Sequence, residues 1–355
     1  MEFCIKYKRR PSTDCYCDKT FFYNCSKQIA LGDTQAHGSG SGCRTCRCKN
    51  QSRGLQQKVI NITTNEILEE QMYNFPIVDG HAHVYKDHVA DKIIRSFTDF
   101  YQMKPVSIGK GTISDILGNM SKYQINYTVL ANFAPLKSIH DINEWTLSIG
   151  AKYREFIPLI SVHPEMSSDL VGLLERYIEK GAKGVKMHTG IQLFEPNDSR
   201  LKPLYEFCGK NKVPITFHCG ETSEVHMNDL ADISHIYPVL ESYQDVPFIL
   251  THMAEGKLDD VYHIADAFTN VFFDTSITVT GEHCIKRIHD EYWEDDANVA
   301  KTFCDIGCDR IIFGSDYPFG NPGSDIERIM SLGLSMDEKK KILGENVLSM
   351  YNITN

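Results

Sequence analysis

From residue 75 onward the chain alternates short apolar, β-branched runs with longer stretches whose apolar residues recur at helical spacing. Eight runs predict strands: Pro76–Gly80, Tyr127–Phe133, Phe156–Val162, Gly184–His188, Pro214–His218, Pro247–His252, Val271–Thr275 and Arg310–Ser315. Each is short and almost continuously apolar, the pattern of parallel strands covered on both faces. Between them Asp169–Lys180, Leu201–Lys210 and Ile233–Tyr243 carry the one-sided apolar stripe of surface helices. Eight strand–helix repeats in about 280 residues are the count and size of a (β/α)8 TIM barrel in the α/β class. A doubly wound open sheet is the alternative, but no glycine-rich phosphate-binding turn follows the first run.

The first 55 residues break this pattern. They hold seven of the 12 cysteines and a Gly-Ser hinge, His37-Gly38-Ser39-Gly40-Ser41-Gly42. Residues 1–60 carry 11 Lys+Arg against 4 Asp+Glu, leaving 26 against 43 for the remainder of the net −10 chain. The division expected is therefore a cysteine-rich basic extension over 1–55, a connector over 56–74 and a barrel over 75–355. No apolar run approaches the ~18 residues that would span a membrane, and no apolar core follows the first charged residues as in a secretory signal. The expectation is a cytoplasmic protein with reduced thiols. In that setting Cys15, Cys17, Cys25, Cys43, Cys46 and Cys48 suggest a second zinc or an iron–sulfur site, against the alternative of a disordered extension with incidental thiols. The extension lacks an aromatic–basic motif beyond Phe21-Phe22-Tyr23, which argues against nucleic acid as a partner.

The polar residues that interrupt the apolar runs fall at one end of them. Asp79-Gly80-His81-Ala82-His83 closes the first strand, and histidines at i and i+2 of a strand point to the same side. The fourth run ends in Lys186 and His188, the fifth in His218, the sixth in His252, and the eighth leads into Asp316. In a TIM barrel the active site lies at the C-terminal ends of the strands. Five of eight strands ending in metal-competent side chains at one mouth point to a divalent metal site.

These segments resemble the amidohydrolase superfamily, in the amidohydrolase 2 branch that includes aminocarboxymuconate-semialdehyde decarboxylase. The matching motifs are Val78-Asp79-Gly80-His81-Ala82-His83, Gly184-Val185-Lys186-Met187-His188, Ile215-Thr216-Phe217-His218, Leu250-Thr251-His252-Met253 and Gly314-Ser315-Asp316-Tyr317-Pro318, with Ile342–Tyr351 similar to that branch's closing helix. The resemblance implies that His81, His83, His218 and Asp316 hold one divalent ion, zinc in the first place. It also implies that His252 stands beside the activated water or the substrate. Asp316 and His252 are then the catalytic pair, one accepting a proton and the other polarising the reacting group. Lys186, an ordinary lysine in this branch, His188 and Glu221 are candidate substrate contacts; for His188 a structural hydrogen bond, and for Glu221 a helix cap, are the alternatives. The segment from Val84 to Ser121, with Tyr85, Lys86, Arg95 and Phe97, reads as a specificity element over the mouth.

The reading that follows is hydrolysis of an amide, ester or lactone bond in a small, carboxylate-bearing substrate by metal-activated water. A metal-dependent decarboxylase acting on an unsaturated or aromatic acid is the first alternative, and a non-catalytic ligand-binding barrel the second. A homodimer is expected from the habit of this fold, without an interface legible in the sequence.

Overall fold

The computed structural model describes residues 73–354 except 102–108, 221–229 and 283–289. The extension, the connector up to residue 72 and Glu221 therefore lie outside the described residues, and with them Cys15, Cys17, Cys25, Cys43, Cys46 and Cys48. Among the described residues no helix is long and apolar enough to cross a membrane.

All eight predicted strands are present: β1 Ile77–Ala82, β2 Ile125–Leu130, β3 Phe156–Ser161, β4 Gly184–Met187, β5 Ile215–Phe217, β6 Phe248–Leu250, β7 Val271–Asp274 and β8 Ile311–Ile312. Each pairs in parallel with the next in sequence order. The last returns to the first through Gly80 N–H to Phe313 O at 2.8 Å, Asp316 N–H to His81 O at 2.8 Å, and a parallel bridge between Ala82 and Tyr317. The fold is a TIM barrel, and the amphipathic stretches fall on its outer helices, as at Leu170–Glu179, Lys202–Asn211 and Ile233–Ser242.

Alternation along the strands sorts the apolar side chains into two cores. Phe156, Ile160, Val185, Met187, Ile215, Phe217, Phe248 and Leu250 join the larger cluster with the helices. Their alternates Val78, Val129, Ile157, Leu159, Ile249 and Ile312 form a smaller one that includes Val347, Leu348 and Tyr351 from the last helical segment. The closing helix thus plugs the barrel from the side where the strands begin. Its carbonyl at Ile342 accepts the Phe313 N–H at 2.9 Å. β8 is two residues long where the sequence predicted Arg310–Ser315; past it the Phe313 N–H turns to the closing helix while its carbonyl still pairs with Gly80.

The seam between β8 and β1 is tight. A Cβ on Gly80 would stand 2.4 Å from Ile312 Cγ2 and 2.8 Å from Phe313 O, the latter a backbone atom that cannot swing away. Gly80→Ala is therefore expected to destabilise the barrel by about 1–3 kcal/mol through overpacking. The midpoint shift in urea unfolding reads this directly, and an unchanged midpoint would mean that the seam opens at no cost.

Candidate active site

The ends of β1 and β8 bring the first three donors together. His81 Nε2 lies 3.2 Å from His83 Nε2, His83 Nε2 lies 3.1 Å from Asp316 Oδ1, and His81 Nε2 lies 3.6 Å from the same oxygen. Ligands held about 2.0–2.2 Å from one ion are separated by roughly 2.8–3.6 Å from each other, so the triangle has the edges of a coordination sphere. His81 donates from Nδ1 to Asp274 Oδ2 at 3.0 Å, which leaves its Nε2 lone pair facing the triangle. Three lone pairs converging on one point repel unless a proton or a cation lies among them. The described residues thus contain a His/Asp group able to hold a metal ion.

Asp274, the last residue of β7, was not singled out by sequence reasoning. Its second oxygen accepts from the His252 N–H at 3.0 Å and the Ser276 N–H at 3.1 Å, and from the Ser276 hydroxyl. Ser276 in turn meets His252 Nδ1 with its hydroxyl at 2.9 Å and its carbonyl at 3.1 Å. One buried carboxylate therefore orients the imidazole of His81 and the backbone that carries His252. Only an acidic residue closing an apolar run, Val271-Phe272-Phe273-Asp274, could have signalled it.

His218 and His252 follow their strands rather than end them. His252 Nε2 contacts His218 Nδ1 at 3.2 Å, and the His218 ring stacks on His188 with centroids 3.8 Å apart. His218 Nε2 is buried with no hydrogen-bond partner among the described residues. It is outside the tight triangle, but it is an unspent donor position on the same wall. His188 accepts from the Ile191 N–H through Nδ1 at 3.3 Å, so it caps a short helix as well as stacking. Lys186 is completely buried, with Nζ 3.4 Å from His81 Nε2.

Charges in this wall are unbalanced. Burial pushes the His83 imidazole down to about 4, despite its hydrogen bond with Asp316, and holds His188 and His218 well below their ordinary range. These rings are neutral at neutral pH, the form that binds metal. Burial would raise Asp316 and Asp274, but the hydrogen bond with His83 and the neighbouring His81 outweigh it, and both stay ionised. Burial lowers Lys186 to about 8 against the pull of Asp274 and Asp316, leaving it mostly an ammonium. Two carboxylates thus face one ammonium, and a divalent ion corrects the deficit.

The backbone is strained at the same place. His252, Met253, Ala254 and Glu255 turn left-handed at φ 58°, 51°, 50° and 71°, Ile277 has φ 60° and Asp316 φ 55°. Such residues cost about 1–3 kcal/mol each and cluster where function requires it.

Beside His83 opens a cavity of about 280 Å³ lined by Tyr85, Lys86, Val89, Ile93, Phe97, Phe133, Trp145 and Ile191 among others. Most of these come from the segment after His83, whose helix Asp87–Tyr101 supplies Val89, Ile93 and Phe97. Arg95, which the sequence placed in this element over the mouth, pairs with Asp91 at 2.7 Å on the exposed face of that helix. Lys86 reaches Asp141 at 2.6 Å.

The amidohydrolase profile of the amidohydrolase 2 branch matches residues 78–353. The chain belongs to the amidohydrolase family. This amidohydrolase is accordingly an enzyme, and its fold is shared with solved structures. An uncharacterized TIM-barrel protein from Bordetella bronchiseptica aligns with a TM-score of 0.62 at 18% identity, covering 78% of this chain and 100% of its own. A putative 2-pyrone-4,6-dicarboxylic acid hydrolase from Pseudomonas putida aligns at 0.58 and 16%, covering 79% and 98%. A 5-carboxyvanillate decarboxylase from Novosphingobium aromaticivorans, complexed with manganese and 4-hydroxy-3-methoxy-5-nitrobenzoic acid, aligns at 0.59 and 14%, covering 79% and 97%. At these identities the likeness establishes the fold. No curated protein matches the sequence.

Asp274→Asn keeps the shape of the β7 end but removes the charge that orients His81. It is expected to weaken manganese or zinc binding by roughly 10–100-fold, measured by competition with a chelating dye. Unaltered affinity would show that His81 is oriented without it.

Proposed function

We propose that this amidohydrolase is a metal-dependent decarboxylase acting on an aromatic or unsaturated carboxylic acid. The observation that carries the reading is the cavity against His83, walled by Ile93, Phe97, Phe133 and Trp145, with Lys86, paired to Asp141, the one cation among its described lining residues. A planar apolar ring fits such walls, and apolar surroundings disfavour a carboxylate relative to the neutral carbon dioxide it becomes. Decarboxylases and a pyrone hydrolase both occur among the solved structures of this fold. The sequence alone favoured hydrolysis; the apolar lining of the cavity supports placing decarboxylation first.

His81, His83 and Asp316 would hold the ion, with His218 Nε2 as the further donor on the same wall. Bound there, a divalent ion supplies Lewis-acid polarisation of the substrate's oxygen atoms. Lys186 contributes its ammonium to an anionic substrate group. Asp316 takes up a proton from solvent and delivers it to the substrate carbon, while the bond from that carbon to the carboxylate breaks with its electron pair left on the carbon and carbon dioxide leaves. His252, held by Ser276 and Asp274, faces His218 and completes the polar wall. Manganese fits this donor set as well as zinc does, since imidazole and carboxylate suit both.

Hydrolysis is the second reading. What favours it is Asp316 itself, an ionised carboxylate 3.1 Å from His83 and placed to take a proton from water.

The two separate by isotope. The manganese-loaded full chain is assayed with hydroxybenzoic acids and with pyrone lactones, in deuterated and in oxygen-18 water. Decarboxylation is expected: carbon dioxide released, one deuteron on the product carbon, no oxygen-18 in the organic product, and activity abolished by chelation and restored by metal. Oxygen-18 incorporation without carbon dioxide would establish hydrolysis instead. Turnover that survives chelation would overturn both.

A further inference from the structure

A second group of metal-competent side chains lies on the side of the barrel where the strands begin. Cys304 is exposed on the helix Asp296–Ile306, Cys308 is buried at the start of the turn Cys308–Arg310, and Glu338 is partly buried on the helix Met336–Lys340. The two Sγ atoms and a carboxylate oxygen all lie within 4.8 Å of one another. The other cysteines among the described residues, Cys208 and Cys219, are buried and belong to no such group. Nothing in the reaction proposed above uses this cluster.

We propose that Cys304, Cys308 and Glu338 form a second metal site, selective for zinc or another thiophilic divalent cation, with one position open to water. Two sulfur ligands and one carboxylate favour zinc and cadmium over manganese or magnesium. Zinc–sulfur bonds of 2.3 Å place two thiolates roughly 3.8 Å apart, a closure that the exposed Cys304 side chain can make alone. Glu338 is already oriented: its Oε2 accepts the Ser335 N–H at 2.7 Å in a capping box, and hydrogen-bonded carboxylates are the usual ligand form. Without a cation the group is unfavourable. Burial, and the negative surroundings of Cys304, Glu338 and Asp309, push the Cys308 thiol up to about 12. A bound cation inverts that balance and deprotonates the sulfur outright.

The consequence is mechanical. Cys308 opens the turn that leads into β8 and hence to Asp316, while Glu338 lies on the helix leading into the segment that plugs the barrel. A metal here ties those two pieces together, and binding to the folded state alone raises the unfolding temperature by mass action.

The test uses the reduced full chain with its barrel site first saturated with manganese. Cadmium is titrated while the sulfur-to-cadmium charge-transfer absorbance is followed, in the native chain, in Cys304→Ser and in Glu338→Gln. The exposed position makes Cys304→Ser safe for folding, and glutamine keeps the capping box while removing the charge. The thiols of residues 1–60 are common to all three proteins and cancel in the difference.

The expected result is loss of one equivalent of cadmium and its absorbance in Cys304→Ser, weaker binding in Glu338→Gln, and a zinc-dependent rise in unfolding temperature seen only in the native chain. Identical titrations for the native chain and Cys304→Ser would overturn the site. So would a band that Glu338→Gln leaves untouched, because the thiols would then act as a bare pair.

Discussion

The geometry of the active site depends on closing the barrel between its first and last strands, and one buried carboxylate holds that closure. Asp79 accepts from the His81 N–H at 3.1 Å, from the Ser315 N–H at 2.9 Å and from the Ser315 hydroxyl at 2.5 Å. His81 and His83 lie close to the start of the described chain and Asp316 close to its end, so nothing local brings them together. The bond between Asp79 and Ser315 spans 236 positions, so it forms only when all eight strands are in register. Burial pushes the Asp79 carboxyl up to about 6, with the Ser315 and His81 hydrogen bonds pulling the other way. Donors aimed at both oxygens are what make a carboxylate tolerable at that depth.

Much of this was legible because parallel strands have to be apolar on both faces. A residue such as His81, Lys186 or Asp316 stands out against Val78, Val185 or Phe313 for that reason alone, and the barrel's habit of gathering strand ends at one mouth supplied the rest. Asp274 escaped because its run carries the same signature once, without a second polar residue to draw attention. The left-handed turn at His252–Glu255 escaped for a different reason. Nothing in His-Met-Ala-Glu prefers positive φ, so the conformation is imposed by tertiary contacts, including Thr278 donating to the His252 carbonyl at 2.8 Å. Past the short β8, the Phe313 N–H meets the closing helix at Ile342, a contact that sequence distance conceals. The lining of the cavity was half visible: the apolar residues of the segment after His83 were noted, but which of its charged residues turn away, as Arg95 does, is set by helix register and an i,i+4 partner.

Strain and desolvation at the mouth have one explanation in common. His252, Ile277 and Asp316 adopt backbone conformations that cost energy, and His83, His188 and His218 are buried in the form that cannot carry charge. A fold selected for stability alone would relax these features. The larger core of the barrel, with fully buried aromatic side chains such as Trp293, Phe217, Phe248 and Phe303, is what over-determines them.

The charge arrangement then follows from what the site has to hold. With His83, His188 and His218 neutral, the carboxylates of Asp274 and Asp316 face Lys186 across a wall of converging donor atoms. Like charges and aligned lone pairs at 3–4 Å in a dry environment repel strongly. Placing them there is costly unless a small divalent cation resides among them, and such a cation would also help an apolar cavity attract the acid of the proposed reaction. The electrostatic deficit and the apolar walls are therefore two halves of one arrangement: the first suits a divalent cation, and the second suits the aromatic acid of the proposed reaction.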